Sequence, residues 1–212
     1  MATLGLEEKK FDLKAGLLCL DFANTSDWHA SSHPEESLNS YADLVSWAFQ
    51  AGALTQGEAE ALLRAAARRT REAADVLARA INFREAIYRI FSATAHGEPP
   101  AQGDLAIVNA EVAQAQGRLR LVPSDDGYAW GWAGGEALER MLWPVARSVA
   151  EVMTSGDLHR VGECADDRGC GWLFLDLSRN HSRRWCDMKS CGNRAKAKRH
   201  YQRKEGPREA AA

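Results

Sequence analysis

A chain of 212 residues has room for one large domain or two unequal ones, and 45% hydrophobic residues supply a core, which excludes wholesale disorder. No apolar run approaches the roughly 20 residues of a membrane-spanning helix, and the polar stretch Met1–Lys10 lacks the apolar centre of a signal peptide, so a cytoplasmic protein without a membrane partner is expected. The net charge of −2 conceals an asymmetry: residues 179–204 carry ten Lys or Arg against Asp187 alone, a net +9, which leaves −11 on the remainder. An acidic body with a basic end favours a polyanionic partner for that end, the bland alternative being a solvated tail.

In chain order, residues 10–25 mix β-compatible runs with a turn at Ala15-Gly16 and read as a strand or short hairpin, followed by a loop to Glu36. Tyr41, Leu44, Val45, Ala48 and Phe49 recur at helical spacing after Ser40. Thr55 with Glu58 forms a capping box that opens a second helix to about Arg68. The longest periodic segment, Thr70 to His96, carries an apolar stripe of Val76, Leu77, Ala80, Ile81, Ile87, Tyr88 and Phe91 and stops at Gly97 and Pro99-Pro100. A further helix spans Gly103 to Gln116. The runs RLRLVP and YAWGW then flank a Ser124–Gly127 turn and predict a hairpin. A helix from Gly135 to Met153 follows, with Pro144 allowing a kink near its middle.

The fold class expected is α+β: a mainly helical domain over 1–155 with a few antiparallel strands, a small module over 156–204, and a disordered tail over 205–212. That module holds four of the five cysteines, spaced Cys164-x5-Cys170-x15-Cys186-x4-Cys191. In a reducing compartment such spacing points to metal before disulfides. Zinc takes four thiolates in a tetrahedron, and two loops can each supply a pair. Four protein ligands leave no open position, so a single structural Zn2+ is expected rather than a catalytic one. The intervening GWLFLDLSRNHSRRW reads as a strand, a polar turn and a return strand into Trp185, and the residues after Cys191 as a helix, giving a treble-clef-like layout. Cys19 stands apart in an apolar run and reads as a small buried hydrophobe.

The segment from Cys164 to Arg203 resembles a CGNR zinc finger, through FLDLSRN, RRWC and the tetrapeptide Cys191-Gly192-Asn193-Arg194. The body resembles the ABATE domain that accompanies this finger, through LCLDFANT at 18–25 and NFREAIYRIF at 82–91. The resemblance implies a bacterial, stress-linked transcription regulator. Its nucleic-acid contacts are expected from Arg183, Arg184, Arg194, Lys196, Lys198, Arg199 and Arg203, with DNA favoured over RNA as partner. Arg183, Arg184 and Lys189 are equally suited to offsetting the −2 charge of a zinc tetrathiolate, and Trp172, Phe174 and Trp185 suit a mini-core. An RNA-binding module and a zinc-stabilised protein-interaction module are the competing classes.

In the body, Asp21, Asn24, Thr25, Arg84, Trp130 and Trp132 are candidates for a small-molecule effector pocket. The simpler reading pairs Asp21 with Arg84, turns Asn24 and Thr25 inward and packs the tryptophans as core. A homodimer is the other role considered for the body. No phosphate-cradling glycine loop or H-E-x-x-H pattern is present, and His29 and His33 near Asp27 read as loop histidines, so no catalytic residues and no enzyme are expected.

Overall fold

The computed structural model describes Leu6 and residues 9–205, the side chains of residues 204 and 205 excepted. The tail expected at 205–212 lies, from residue 206 onward, outside the described residues. Seven α-helices and three two-stranded antiparallel sheets make an α+β fold among them.

The longest helix, α4 (Thr70–Ala95), buries Val76, Ala80, Phe83, Ile87, Ile90 and Phe91 and forms the spine of the core. Against it pack α1 (Leu18–Ala23), α2 (Tyr41–Gln50), α3 (Gln56–Arg68) and α5 (Gln102–Arg118), while α6 (Leu142–Thr154) closes the bundle on α1 and α5. Ser40 caps α2 by accepting from the Asp43 N–H, and the reciprocal Thr55–Glu58 capping box opens α3 as its sequence predicts.

Three expectations are corrected. The run over 18–23 is helix, not strand: α1 sinks Cys19, Leu20, Phe22 and Ala23 into the core, and a short apolar run does not reveal its period. The helix expected from Gly135 starts only at Leu142, after turns at Gly134 and Gly135, both with positive φ. Pro144 therefore lies in the first turn of α6, where its missing N–H leaves no helical bond unmade, and it causes no mid-helix kink. A side chain at Gly134 would meet the Trp143 ring at 2.5 Å, so the bare backbone lets the chain enter α6 across that indole.

The third correction concerns the finger. Its strand β6 (Leu173–Leu175) pairs with β5 (Val161–Glu163), which precedes the first cysteine, and not with a return strand into Trp185. Side chains capture the return segment instead. Asp176 accepts from the backbone N–H of Ser178 and Arg183, and the Arg183 guanidinium donates to the carbonyls of Leu175, Trp185 and Cys186. Backbone groups satisfied by side chains have no need of a ladder.

The β5–β6 sheet lies on the body. Both strands pack on α4 and β6 also on α1, and Val161 and Leu173 belong to the same buried cluster as the helices. Asn24, just past α1, donates from Nδ2 to the Leu173 carbonyl and accepts at Oδ1 from the Leu173 N–H, both at 2.9 Å. Its amide thus acts as one residue of a neighbouring strand, and with 6% exposure it fixes the finger to the body. The remaining sheets are a two-residue pair, β1 (Ser26–Asp27) with β2 (Glu35–Glu36), and the hairpin of β3 (Leu119–Ser124) and β4 (Gly127–Trp132).

Candidate metal centre and nucleic-acid interface

Cys164 follows β5 and Cys170 precedes β6, so the short sheet carries the first pair of thiols. Cys186 ends the captured return segment, and Cys191 lies in a single π-helical turn over Met188–Gly192 that leads into α7 (Asn193–Glu205). Asp187 holds that turn by accepting from the Lys189 N–H, and its carbonyl accepts from the Gly192 N–H. The four Sγ atoms lie within 4.8 Å of one another, with Cys170–Cys186 at 3.7 Å and Cys186–Cys191 at 3.6 Å. Zn–S bonds of about 2.3 Å in a tetrahedron require S···S edges of about 3.8 Å, which these separations match. All four thiols are free of disulfides.

The donor chemistry also asks for a cation. Without a metal the cluster does not hold four thiolates: hydrogen bonds from the Cys170 and Cys186 thiols pull Cys164 down, while Cys170 and Cys186 are pushed up by the same bonds and Cys191 by burial. Four crowded thiolates need a divalent ion between them. The residues present therefore fit one structural zinc ion with four cysteine ligands. Cys19 is distinct: fully buried and pushed up to about 12 by desolvation, it is an inert core residue.

Cations close around the cluster. Arg194 donates from Nη2 to the Cys191 Sγ at 2.8 Å and from Nε and Nη2 to the Asp166 carboxylate at 3.0 and 2.7 Å. Burial raises the Asp166 carboxyl, but hydrogen bonds from Arg194 and the Arg168 N–H outweigh it and hold the group at about 2. Arg183 stacks on Phe174 at 4.3 Å besides its three carbonyl bonds. Both arginines thus brace the finger around the cysteines, while each stays partly exposed, the Arg194 side chain at 37%. Lys198 pairs with Asp167, both ends more than half exposed, a contact that water and salt readily loosen.

The other expected cations are exposed. Arg184 and Arg199 both stand over Trp185, 5.3 and 5.8 Å from its ring centre. On α7, Lys196, Arg199, His200 and Arg203 recur at i, i+3, i+4 and i+7, one continuous helix face. None of the four forms an ion pair among the described residues. Of the other finger aromatics, Trp172 and Phe174 are buried, as a mini-core requires.

The body supplies residues that the sequence did not single out. Trp28 packs on the cysteine cluster, with the Arg168 and Arg194 guanidinia 5.1 and 5.4 Å from its ring centre. Its φ of +52° is a strained setting for a side-chain-bearing residue. Asp27 accepts from Trp172 Nε1, and the His29 N–H donates to the Cys170 carbonyl. Gly169 and Gly171, with φ of +86° and +66°, carry the metal loop so close to Ala30 and Ser31 that an added Cβ would lie 2.7 Å from their backbone. No spacing signal marks Trp28, because its partner lies far along the chain; the glycines beside Cys170 were the legible trace.

The six effector-pocket candidates do not converge. Asp21, Asn24 and Thr25 line a cleft of about 120 Å3 with Asp12, Asp27 and Trp47, and Arg84, Trp130 and Trp132 are absent from its lining. Asp21 accepts from the Ala15 N–H and does not pair with Arg84. Arg84 instead forms bidentate bonds with Glu36 at 2.6 and 2.7 Å and pairs with Glu85. Thr25 bonds inward to the Phe22 carbonyl, Trp132 packs beside Trp143, and Trp130 is 56% exposed.

The fold and site define a helix-rich α+β protein closed at its carboxyl end by a four-cysteine zinc finger. Residues 160–204 match the CGNR zinc finger model, and residues 16–156 match the ABATE model, described as a putative stress-induced transcription regulator. The second match spans well over half of the chain, which therefore belongs to the ABATE family. No curated protein matches the chain. Among the described residues, no helix is long and apolar enough to cross a membrane.

Proposed function

We propose that this protein regulates transcription by binding DNA through the exposed cationic face of α7, acting by binding rather than catalysis, while the helical body senses a signal or holds copies together. The observation that supports this reading is the Lys196–Arg199–His200–Arg203 stripe, which lies apart from the arginines that serve the zinc site. Arg183 and Arg194 stand beside the cysteine cluster, Arg194 shared with Asp166, and none of the stripe residues bonds to a cluster sulfur among the described residues. Arg184, which shares a groove with Arg199 and Trp185, extends the stripe. Such a helix face contacts phosphates and, in a major groove, base edges.

The test is fluorescence anisotropy of zinc-loaded protein on random duplex DNA across a salt series. Each phosphate contact contributes about 0.9 to the slope of log K against log salt, so replacing Lys196, Arg199 and Arg203 by Gln flattens that slope by about 3 and weakens binding at every salt. Thermal stability and zinc content stay unchanged. A triple variant that binds as the parent does overturns the reading. One observation favours RNA as a second reading: Tyr201, 65% exposed on α7, suits stacking on an unpaired base. Competition between duplex DNA and structured RNA for the same protein decides between them.

A further inference from the structure

The β3–β4 hairpin stands off the body with an apolar face. Its register pairs Leu119 with Trp132, Leu121 with Trp130 and Pro123 with Tyr128. Alternation along each strand puts these six on one side, and none is charged. Only the base is anchored, where Trp132 packs 6.0 Å from Trp143. Further out, Leu121, Tyr128 and Trp130 are 63%, 77% and 56% exposed. A lone two-stranded hairpin is marginally stable in water, and this one has no third strand.

The two edges are not equivalent. The Ala133 N–H donates to the Arg118 carbonyl, which sets the parity of the ladder. Leu119, Leu121 and Pro123 on β3, and Tyr128, Trp130 and Trp132 on β4, therefore direct their backbone groups outward. Pro123 has no N–H to offer, and Arg120 adds a charge, so β3 carries two of the devices that block edge pairing. Gly127–Trp132 contains neither proline nor charge, and the outward groups of Tyr128 and Trp130 have no partner among the described residues, while the Trp132 carbonyl at the base accepts from Arg140 Nη1 at 3.4 Å.

We propose that β4 pairs antiparallel with β4 of a second copy, across a two-fold axis near Trp130, to make a four-stranded sheet with one merged apolar face. This deepens the self-association half of the reading above and does not depend on nucleic acid. Two-fold pairing of a strand with itself brings outward groups to outward groups and puts the aromatic rows of both copies on the same side. Side-by-side pairing covers the flanks of Tyr128 and Trp130 that face the partner strand, a part of the area that leaves them 77% and 56% exposed. The buried area is therefore below the ~1,000 Å2 of a specific stable interface, and the pair is a weak one held by the ladder hydrogen bonds and the cross-strand aromatic contacts. Because the body is acidic, the attraction is apolar and works against charge repulsion.

Sedimentation equilibrium of the full zinc-loaded chain, without nucleic acid, tests this from about 1 to 200 µM at low and high salt. The expected result is a monomer–dimer equilibrium that salt strengthens, opposite to the salt response of DNA binding, so each reading fails separately. The Tyr128→Glu/Trp130→Glu double variant raises the dimer dissociation constant at least about 100-fold, as loss of paired aromatic hot spots does, with circular dichroism and one zinc retained. In the parent chain, the N–H groups of Tyr128, Trp130 and Trp132 gain hydrogen-exchange protection as concentration rises. A chain that stays monomeric throughout, whether or not an added strand peptide binds the edge, overturns the proposal. So does a dimer untouched by the double variant, or unprotected β4 amides in a dimer.

Discussion

Replacing Arg183 by alanine removes a side chain that the sequence placed among the nucleic-acid contacts and the structure places inside the finger. Its guanidinium donates to three carbonyls, with 3.0 Å to Trp185 and 3.2 Å to Leu175, and lies 4.3 Å from the Phe174 ring centre. A hydrogen bond from a charged donor contributes about 1.5–3 kcal/mol and the stacked cation about 0.5–2 kcal/mol. The contributions share one side chain and do not add, and water reaches the half-buried carbonyls, so about 1 kcal/mol per orphaned carbonyl is the better basis. The expected loss is therefore about 3 kcal/mol, a fall of roughly 6–12 °C in Tm for a chain of this size. Urea unfolding of the zinc-loaded protein reads the first quantity and calorimetry the second. A loss below about 0.5 kcal/mol, together with weakened DNA binding, would show that Arg183 faces the nucleic acid after all and refute the assignment.

Two further outcomes follow from the same contacts. Removing zinc with a chelator should release one ion per chain, expose the four finger thiols to a thiol reagent, and lower the Tm of the whole protein, because Val161 and Leu173 sit in the body's core and Trp28 packs on the cluster. An unchanged Tm would mean that finger and body unfold independently. Burial pushes the Glu85 carboxyl up, but the charges and hydrogen bonds of His29 and Arg84 outweigh it and hold the group at about 2. A carboxyl lowered on folding stabilises the protein above its unfolded value of roughly 4.3 and loses that contribution as pH falls through about 2. Glu85→Gln should thus destabilise the protein at pH 7 and flatten its stability between pH 5 and 3; urea midpoints parallel to the parent's across that range would count against the pairing.

Local chemistry was legible in the sequence. The Thr55–Glu58 capping box, the apolar stripe of α4 and the turn between β3 and β4 each depend on residues a few positions apart, and each is where its pattern puts it. Where pattern gave out, the cause was a long-range partner or an ambiguous period. LCLDFA is apolar but for Asp21 and too short to reveal a period, so burial against α4 and α6 decided that it is helix. The return segment to Trp185 looks β-compatible, yet Asp176 and Arg183 occupy its backbone groups first.

The zinc site divides along the same line. Four cysteines in two pairs, thiolate's preference for zinc and the basic run that follows are properties of the chain itself, and they fix the metal, its ligands and the charge of α7. Which cations serve the metal and which remain for a partner is not a property of spacing. Arg194 and Lys196 stand two residues apart on one helix, but one meets buried Asp166 and the Cys191 sulfur while the other faces water. Tertiary structure alone decides this, because an arginine's role is set by which acceptor the folded chain brings within about 3 Å of it. The contact of Trp28 with the cysteine cluster, and the amide of Asn24 joined to Leu173, follow from the same cause: each pairs residues more than a hundred positions apart.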